Sequence, residues 1–259
     1  MPAAIFCLDL EYKVTMSPAR QTAVSLVVLL VFMQACGGPV GPGDEGYFGT
    51  LPPGTELPSG AECAGRVRRS SWEPRPGNTQ ANQTRGRPGV RIEGASDEFN
   101  ANFAGRIDGD FTGTTDEILQ WGACKWGLDE DIVRAMAVVE SGWRQSEVGE
   151  DFSTFGIMQI RSSVHANTYP YSRDSTAYTV DYALAWRRAC YEGDFTWMNS
   201  LYKQGGYAKG DEWGCVGAWF SGDWYDGDEN VAYSGAKPYI KMVKQRLAER
   251  TWTRSDFRD

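Results

Sequence analysis

From Thr114 to Glu140 apolar and polar residues recur with the period of a helix. Thr114 with Glu117 three residues later forms a capping box ahead of Ile118, Leu119, Trp121 and Gly122, which predicts a helix start. A second helix is expected from Asp129. Leu128 can staple to Val133 across that cap, and Glu130 and Asp131 suit the positive helix start. Its apolar stripe runs through Ile132, Val133, Met136, Ala137 and Val139. Further helices are expected around 176–191, ended by Gly193, and around 237–250, opened by Pro238, with a short one over 211–219. Strand signals are confined to short stretches such as 155–160. The pattern predicts a mainly α fold with little β.

The N-terminal third reads differently. Residues 23–35 are mostly apolar, too short for the ~20 residues of a membrane-spanning helix and suited to a signal peptide, with Arg20 as the positive flank. Met16 begins a better leader than Met1, because Asp9 and Glu11 precede it. Ala35-Cys36-Gly37 then resembles a bacterial lipobox, with Met33 and Gln34 departing from its usual residues. Residues 1–35 are therefore read as a signal peptide and Cys36 as a lipidation site. The alternative is an ordinary secreted protein cleaved nearby. Residues 36–60, rich in Gly and Pro, are expected to be a flexible tether. Residues 61–110 are polar and broken by Pro74, Pro76 and Pro88, and Cys63 and Trp72 suggest packing on a main domain over 111–259.

Composition narrows the chemistry. A net charge of −8 over 259 residues argues against a nucleic-acid footprint. His165 is the single histidine, so histidine-rich metal sites are excluded, and it is read as a loop residue. Setting aside Cys7 and Cys36 leaves Cys63, Cys124, Cys190 and Cys215, with none of the close spacing of a zinc site. Three pairings remain open. Cys190–Cys215 with Cys63–Cys124 is preferred, because each bond would tie neighbouring segments. No metal or cofactor is expected.

Glu140 lies four residues after Met136 and seven after Val133, on the same stripe and at the negative end of its helix. Burial and the helix end would both raise its pKa, and a carboxyl protonated near neutral pH can donate a proton to a leaving glycosidic oxygen. The plain alternative is an exposed helix end. Behind it comes Phe155-Gly156-Ile157-Met158-Gln159-Ile160. There a glycine would let backbone approach a sugar, and Gln159 offers a donor and an acceptor.

With Glu140-Ser141 and Gly156-Ile157-Met158-Gln159 the chain resembles the lytic transglycosylases of the soluble-transglycosylase type, in the lysozyme-like superfamily. That family carries a catalytic Glu-Ser pair and a downstream Gly-Leu-Met-Gln segment. Ala218-Trp219-Phe220-Ser221-Gly222 is similar to the family's Ala-Tyr-Asn-Ala-Gly, with Trp219 and Phe220 as departures. The run 237–243, with Tyr239, resembles its closing Tyr-Val helix, so the resemblance spans about 115–250. It implies a lysozyme-like helical domain with Glu140 as acid and then base, and Gly156, Met158, Gln159, Trp219 and Tyr239 around the substrate. The implied reaction cleaves the β-1,4 bond between N-acetylmuramic acid and N-acetylglucosamine and leaves a 1,6-anhydro ring. The implied partner is peptidoglycan, met by a monomer in the bacterial envelope, anchored through Cys36 or else periplasmic or secreted. Glu147, Glu150 and Asp151, in the acidic loop after Glu140, are candidates for the second carboxylate that a hydrolase would need, Glu150 and Asp151 foremost. The rivals are thus a hydrolytic muramidase and a non-catalytic envelope lipoprotein that binds glycan.

Overall fold

A computed structural model describes residues 46–149 and 152–258. The expected signal peptide, the alternative start at Met16, Cys36 and the first part of the tether lie outside the described residues, as do Glu150 and Asp151.

The described chain is mainly helical. Three short helices, α1 (Gly60–Arg66), α2 (Thr79–Asn82) and α3 (Asp97–Phe103), precede α4 (Thr115–Trp126) and α5 (Glu130–Ser141). A two-stranded antiparallel hairpin, β1 (Thr154–Phe155) and β2 (Ile160–Arg161), leads to α6 (Tyr171–Asp174) and α7 (Thr176–Tyr191). The chain closes with α8 (Glu212–Ser221) and α9 (Ala236–Glu249).

Local chemistry explains the long helices. Thr114 and Glu117 complete both halves of the capping box on α4, and Gly127 ends it at φ 56°. Asp129 accepts the Asp131 and Ile132 N–H groups at the start of α5, and Gly142 ends that helix at φ 60°. Ser175 caps α7 and Asp211 caps α8 in the same way.

Helix α7 is the buried axis, with residues Thr176 to Cys190 all buried. Helix α4 packs on it closely because Gly122 has no side chain: a Cβ there would stand 2.5 Å from Val180 Cγ1. Helices α5 and α8 both pack on α9. Disulfides Cys63–Cys124 and Cys190–Cys215 tie α1 to α4 and α7 to α8.

The tether boundary needs correction. From residue 46 onward the segment lies on the helical body, where Phe48 and Leu57 are buried. Leu51 N donates to Gly127 O (3.0 Å), and the Arg188 guanidinium donates to Leu51 O and Pro52 O. Composition missed this because two buried side chains, Phe48 and Leu57, and backbone bonds to Gly127 and Arg188 suffice to hold a segment rich in Gly and Pro.

Candidate active site

Glu140 stands in the last turn of α5. Gly142 ends the helix, and Trp143, wholly buried at φ 68°, anchors the exit by donating Nε1–H to Arg134 O (3.0 Å). The chain then reaches Gln145, a buried amide that acts as a bracket. Its main-chain N–H donates to Asn78 Oδ1 (2.9 Å), and its side-chain Oε1 accepts Ile157 N–H (3.0 Å). Its Nε2 reaches Ser172 O (2.9 Å), Arg173 O (3.0 Å) and Thr179 Oγ1 (3.1 Å). Ser141, buried beside the acid, donates Oγ–H to Ile157 O (3.0 Å). The Glu-Ser pair and the 156–159 segment, distant in sequence, therefore meet through one serine hydroxyl and one glutamine.

The 155–160 stretch is a hairpin rather than one strand, because Gly156 (φ 80°) and Gln159 (φ 51°) both take left-handed backbone. Gln159 closes the turn by donating Nε2–H to Gly156 O (2.8 Å), and its side chain also borders the cleft. Gly156 and Met158 do not line the cleft, contrary to their expected part in holding substrate. Both are buried. A Cβ on Gly156 would stand 2.4 Å from Ser172 O and 2.7 Å from Gln145 Nε2, so the close approach that needs a glycine is to the protein's own backbone. Met158 serves through its carbonyl, which accepts the Trp219 indole N–H (3.2 Å) and joins the hairpin to α8.

Helices α8 and α9 form the facing wall. Tyr239 on α9 donates its hydroxyl to Glu140 Oε1 (2.5 Å). Trp219 is only 9% exposed, stacked on His165 (centroids 5.4 Å, 19°) and edge-on to Trp186. It is thus a cleft-lining residue locked into the wall and not an open platform. Glu140, Gln159, Trp219 and Tyr239 together border a cleft of about 1130 Å³, along with Glu93, Glu147, Arg161, Trp197, Phe220 and Tyr233.

The electrostatics favour a neutral acid. Glu140 keeps some surface open to the cleft, yet protein atoms crowd its carboxyl, and this desolvation pushes its pKa up to about 8. Hydrogen bonding by Tyr239 and Trp219 opposes the rise; the indole's geometric partner is Met158 O, so Tyr239 is the firm contact. Desolvation, rather than the helix end, is the leading cause. Burial also raises the Tyr239 phenol well above its usual range, against the pull of the buried Arg187 guanidinium. His165 is pushed down to about 4 by burial, with Nδ1 3.0 Å from Tyr182 Oη, so it is neutral at pH 7. It borders the cleft as a wall element in a loop.

Such a carboxyl can give up a proton near neutral pH, and the Tyr239 hydroxyl then stabilises the carboxylate left behind. Among the described residues no group of three or more His, Cys, Asp or Glu gathers as metal ligands, and no helix is long and apolar enough to cross a membrane. Gln145, Phe220 and Tyr233 are site residues that sequence reasoning missed. Gln145 carries no local signal, whereas Phe220 stood in view as a departure within the 218–222 motif. No protein-family model, curated protein or solved structure matches the chain.

Proposed function

We propose that this protein is a peptidoglycan lytic transglycosylase with a lysozyme-like catalytic domain. The observation that carries the reading is Glu140, a carboxyl desolvated at the end of α5, held by Tyr239 and opening onto a cleft large enough for a glycan. Its motif context, Glu140-Ser141 with Gly156–Gln159, resembles that family, and Ser141 links the two segments.

In this reading Glu140 protonates the glycosidic oxygen and the C1–O bond breaks. The substrate's own acetamido group assists at C1. The Glu140 carboxylate then takes the proton from the muramyl 6-hydroxyl as O6 bonds to C1, which returns the acid and leaves a 1,6-anhydro ring. No second protein carboxylate is required, because the internal hydroxyl is held at high effective concentration. Two disulfides are compatible with an exported protein, and we place it in the bacterial cell envelope.

Glu140→Gln tests the assignment. Cleavage of purified cell wall should fall by about 10²–10⁴-fold, and wild-type muropeptides should weigh one water less than hydrolysis products. Activity of the variant within tenfold of wild type counts against Glu140. A hydrolytic muramidase is the second reading, favoured by Glu93 and Glu147 bordering the same cleft; ordinary reducing ends in the muropeptides would select it. A glycan-binding protein without catalysis would show no cleavage by the wild type.

A further inference from the structure

The acid's hydroxyl partner belongs to a line of aromatic rings. Tyr239 stacks on Phe220 (centroids 4.9 Å, 9°), and Phe220 lies 6.2 Å from Tyr233 with the two rings tilted by 45°. All three border the cleft. Exposure rises along the line, from 1% at Tyr239 to 37% at Phe220 and 64% at Tyr233.

The loop presenting Tyr233 is held without help from that ring. At its neck Ala236 N donates to Asp226 Oδ1 (2.8 Å) and Lys237 N to Asp226 O (2.9 Å). Across it, Asp228 N donates to Ser234 Oγ (3.0 Å), and Ser234 Oγ–H donates to Asp228 O (3.0 Å). Gly227, at φ 82°, lets the two sides close: a Cβ there would stand 2.8 Å from Gly235 N. A loop already ordered by its polar groups offers Tyr233 at little further entropic cost on binding.

We infer that Phe220 and Tyr233 form a platform beside Glu140 that binds a neutral β-linked pyranose chain by the faces of its rings. Phe220 has no polar atom and the Tyr239 hydroxyl is engaged by Glu140, so this side of the cleft selects the apolar C–H face of a sugar and leaves the substituent at C2 largely unread. The inference rests on the reading of the cleft as a glycan site.

The test uses the Glu140→Gln full chain, titrated calorimetrically with two probes of equal length, the β-1,4 tetramers of N-acetylglucosamine and of glucose. Both should bind, within about fivefold of each other, since C–H faces contribute alike. Adding Phe220→Ala or Tyr233→Ala should weaken both by about fivefold to tenfold. Phe220→Leu, which keeps bulk without the ring, should weaken both as well, and Tyr233→Phe should retain binding. Unchanged affinity in the alanine variants overturns the platform. So does binding of the acetylated tetramer alone, or of neither. The outcomes separate from those for the proposed function: wild type that cleaves with a KM untouched by Tyr233→Ala removes the platform only. Tetramer binding that depends on Phe220, in a protein whose wild type cleaves nothing, removes the transglycosylase reading only.

Discussion

One wall of the cleft, the hairpin of β1 and β2, has only two residue pairs in its ladder, Thr154 with Arg161 and Phe155 with Ile160. It keeps its place through the nearby 147–149 backbone, which pairs with it at Thr154 and Gly156, through the buried Ile157, Met158 and Ile160, and through Ser141, Trp219 and Gln145, the last itself bonded to Asn78 and to the Ser172 carbonyl. The opposite wall, α8 with α9, satisfies most of its backbone internally. It is seated by apolar packing, by Gly217 against Ala236 and Ile240, and by the bond from Cys215 to Cys190. Both walls bury apolar side chains, but the first adds a set of individually aimed hydrogen bonds where the second adds a covalent link. The first should therefore fail to a single polar deletion that the second would survive. Glu140 sits where the two meet, its helix tied to the hairpin by Ser141 and its carboxyl tied to α9 by Tyr239.

Gln145→Ala should break the comparison most severely. It strips Ile157 N–H and the Ser172, Arg173 and Thr179 oxygens of a shared buried partner. We expect a loss of roughly 2–4 kcal/mol in urea unfolding and a fall of more than about tenfold in cell-wall cleavage through displacement of reacting groups. Stability within about 0.5 kcal/mol of wild type, the range of an ordinary surface change, would mean that the hairpin wall has other supports.

Charge at the seam gives the next effect. Glu140 has a folded pKa of about 8, above its ordinary value. Below about pH 4.5 the carboxyl is neutral in both folded and unfolded chains. Between about 4.5 and 8 only the folded chain keeps the proton, so stability declines as pH rises, and above 8 the cost is complete. Glu140→Gln should therefore match wild type at about pH 4 and exceed it by roughly 1–3 kcal/mol at about pH 9, with cleft water moderating the gain. Equal stabilities at both pH values would contradict the desolvation of this carboxyl.

The smallest change sharpens the link from acid to helical wall. Tyr239→Phe keeps the ring stacked on Phe220 and removes the hydroxyl that favours the charged carboxylate. The alkaline limb of kcat/KM should move upward by up to about one pH unit. A pH–rate profile whose limb stays or moves down would assign the hydroxyl another role.

Features written over neighbouring residues are legible in the sequence itself. The Thr114–Glu117 box, the Asp129 cap and the Ser175-led α7 each bring their own donors and acceptors, and the observed helices fall where the pattern places them. Glu140 is legible for a related reason: a carboxyl one turn beyond Met136 in an apolar stripe has nowhere to go but the edge of the core. Gly156 stands out as a special position, yet its neighbour is protein backbone and not a sugar, since a glycine reports that something comes close and not what it is. Nothing near Gln145 in the chain marks it out, because its partners lie up to 67 residues away. Composition likewise hides the packing of residues 46–60, whose carbonyls are taken by Arg188 more than a hundred positions later.

The amino-acid sequence by itself determined where the longer helices α4, α5, α7, α8 and α9 lie, though not the short α1, α2, α3 and α6, and that one carboxyl would be carried to a helix end beside apolar neighbours. Those outcomes depend on contacts within a few residues, whose energies are set as soon as the order of residues is. Only the tertiary structure decided that Ser141 and Gln145 clasp the hairpin, that Tyr239 faces Glu140, and that Phe220 and Tyr233 open along the same cleft. Each of these joins residues brought together by the packing of α5, α7, α8 and α9. The hydrogen bonds and ring contacts involved act over a few ångströms, so they exist only once that packing has closed.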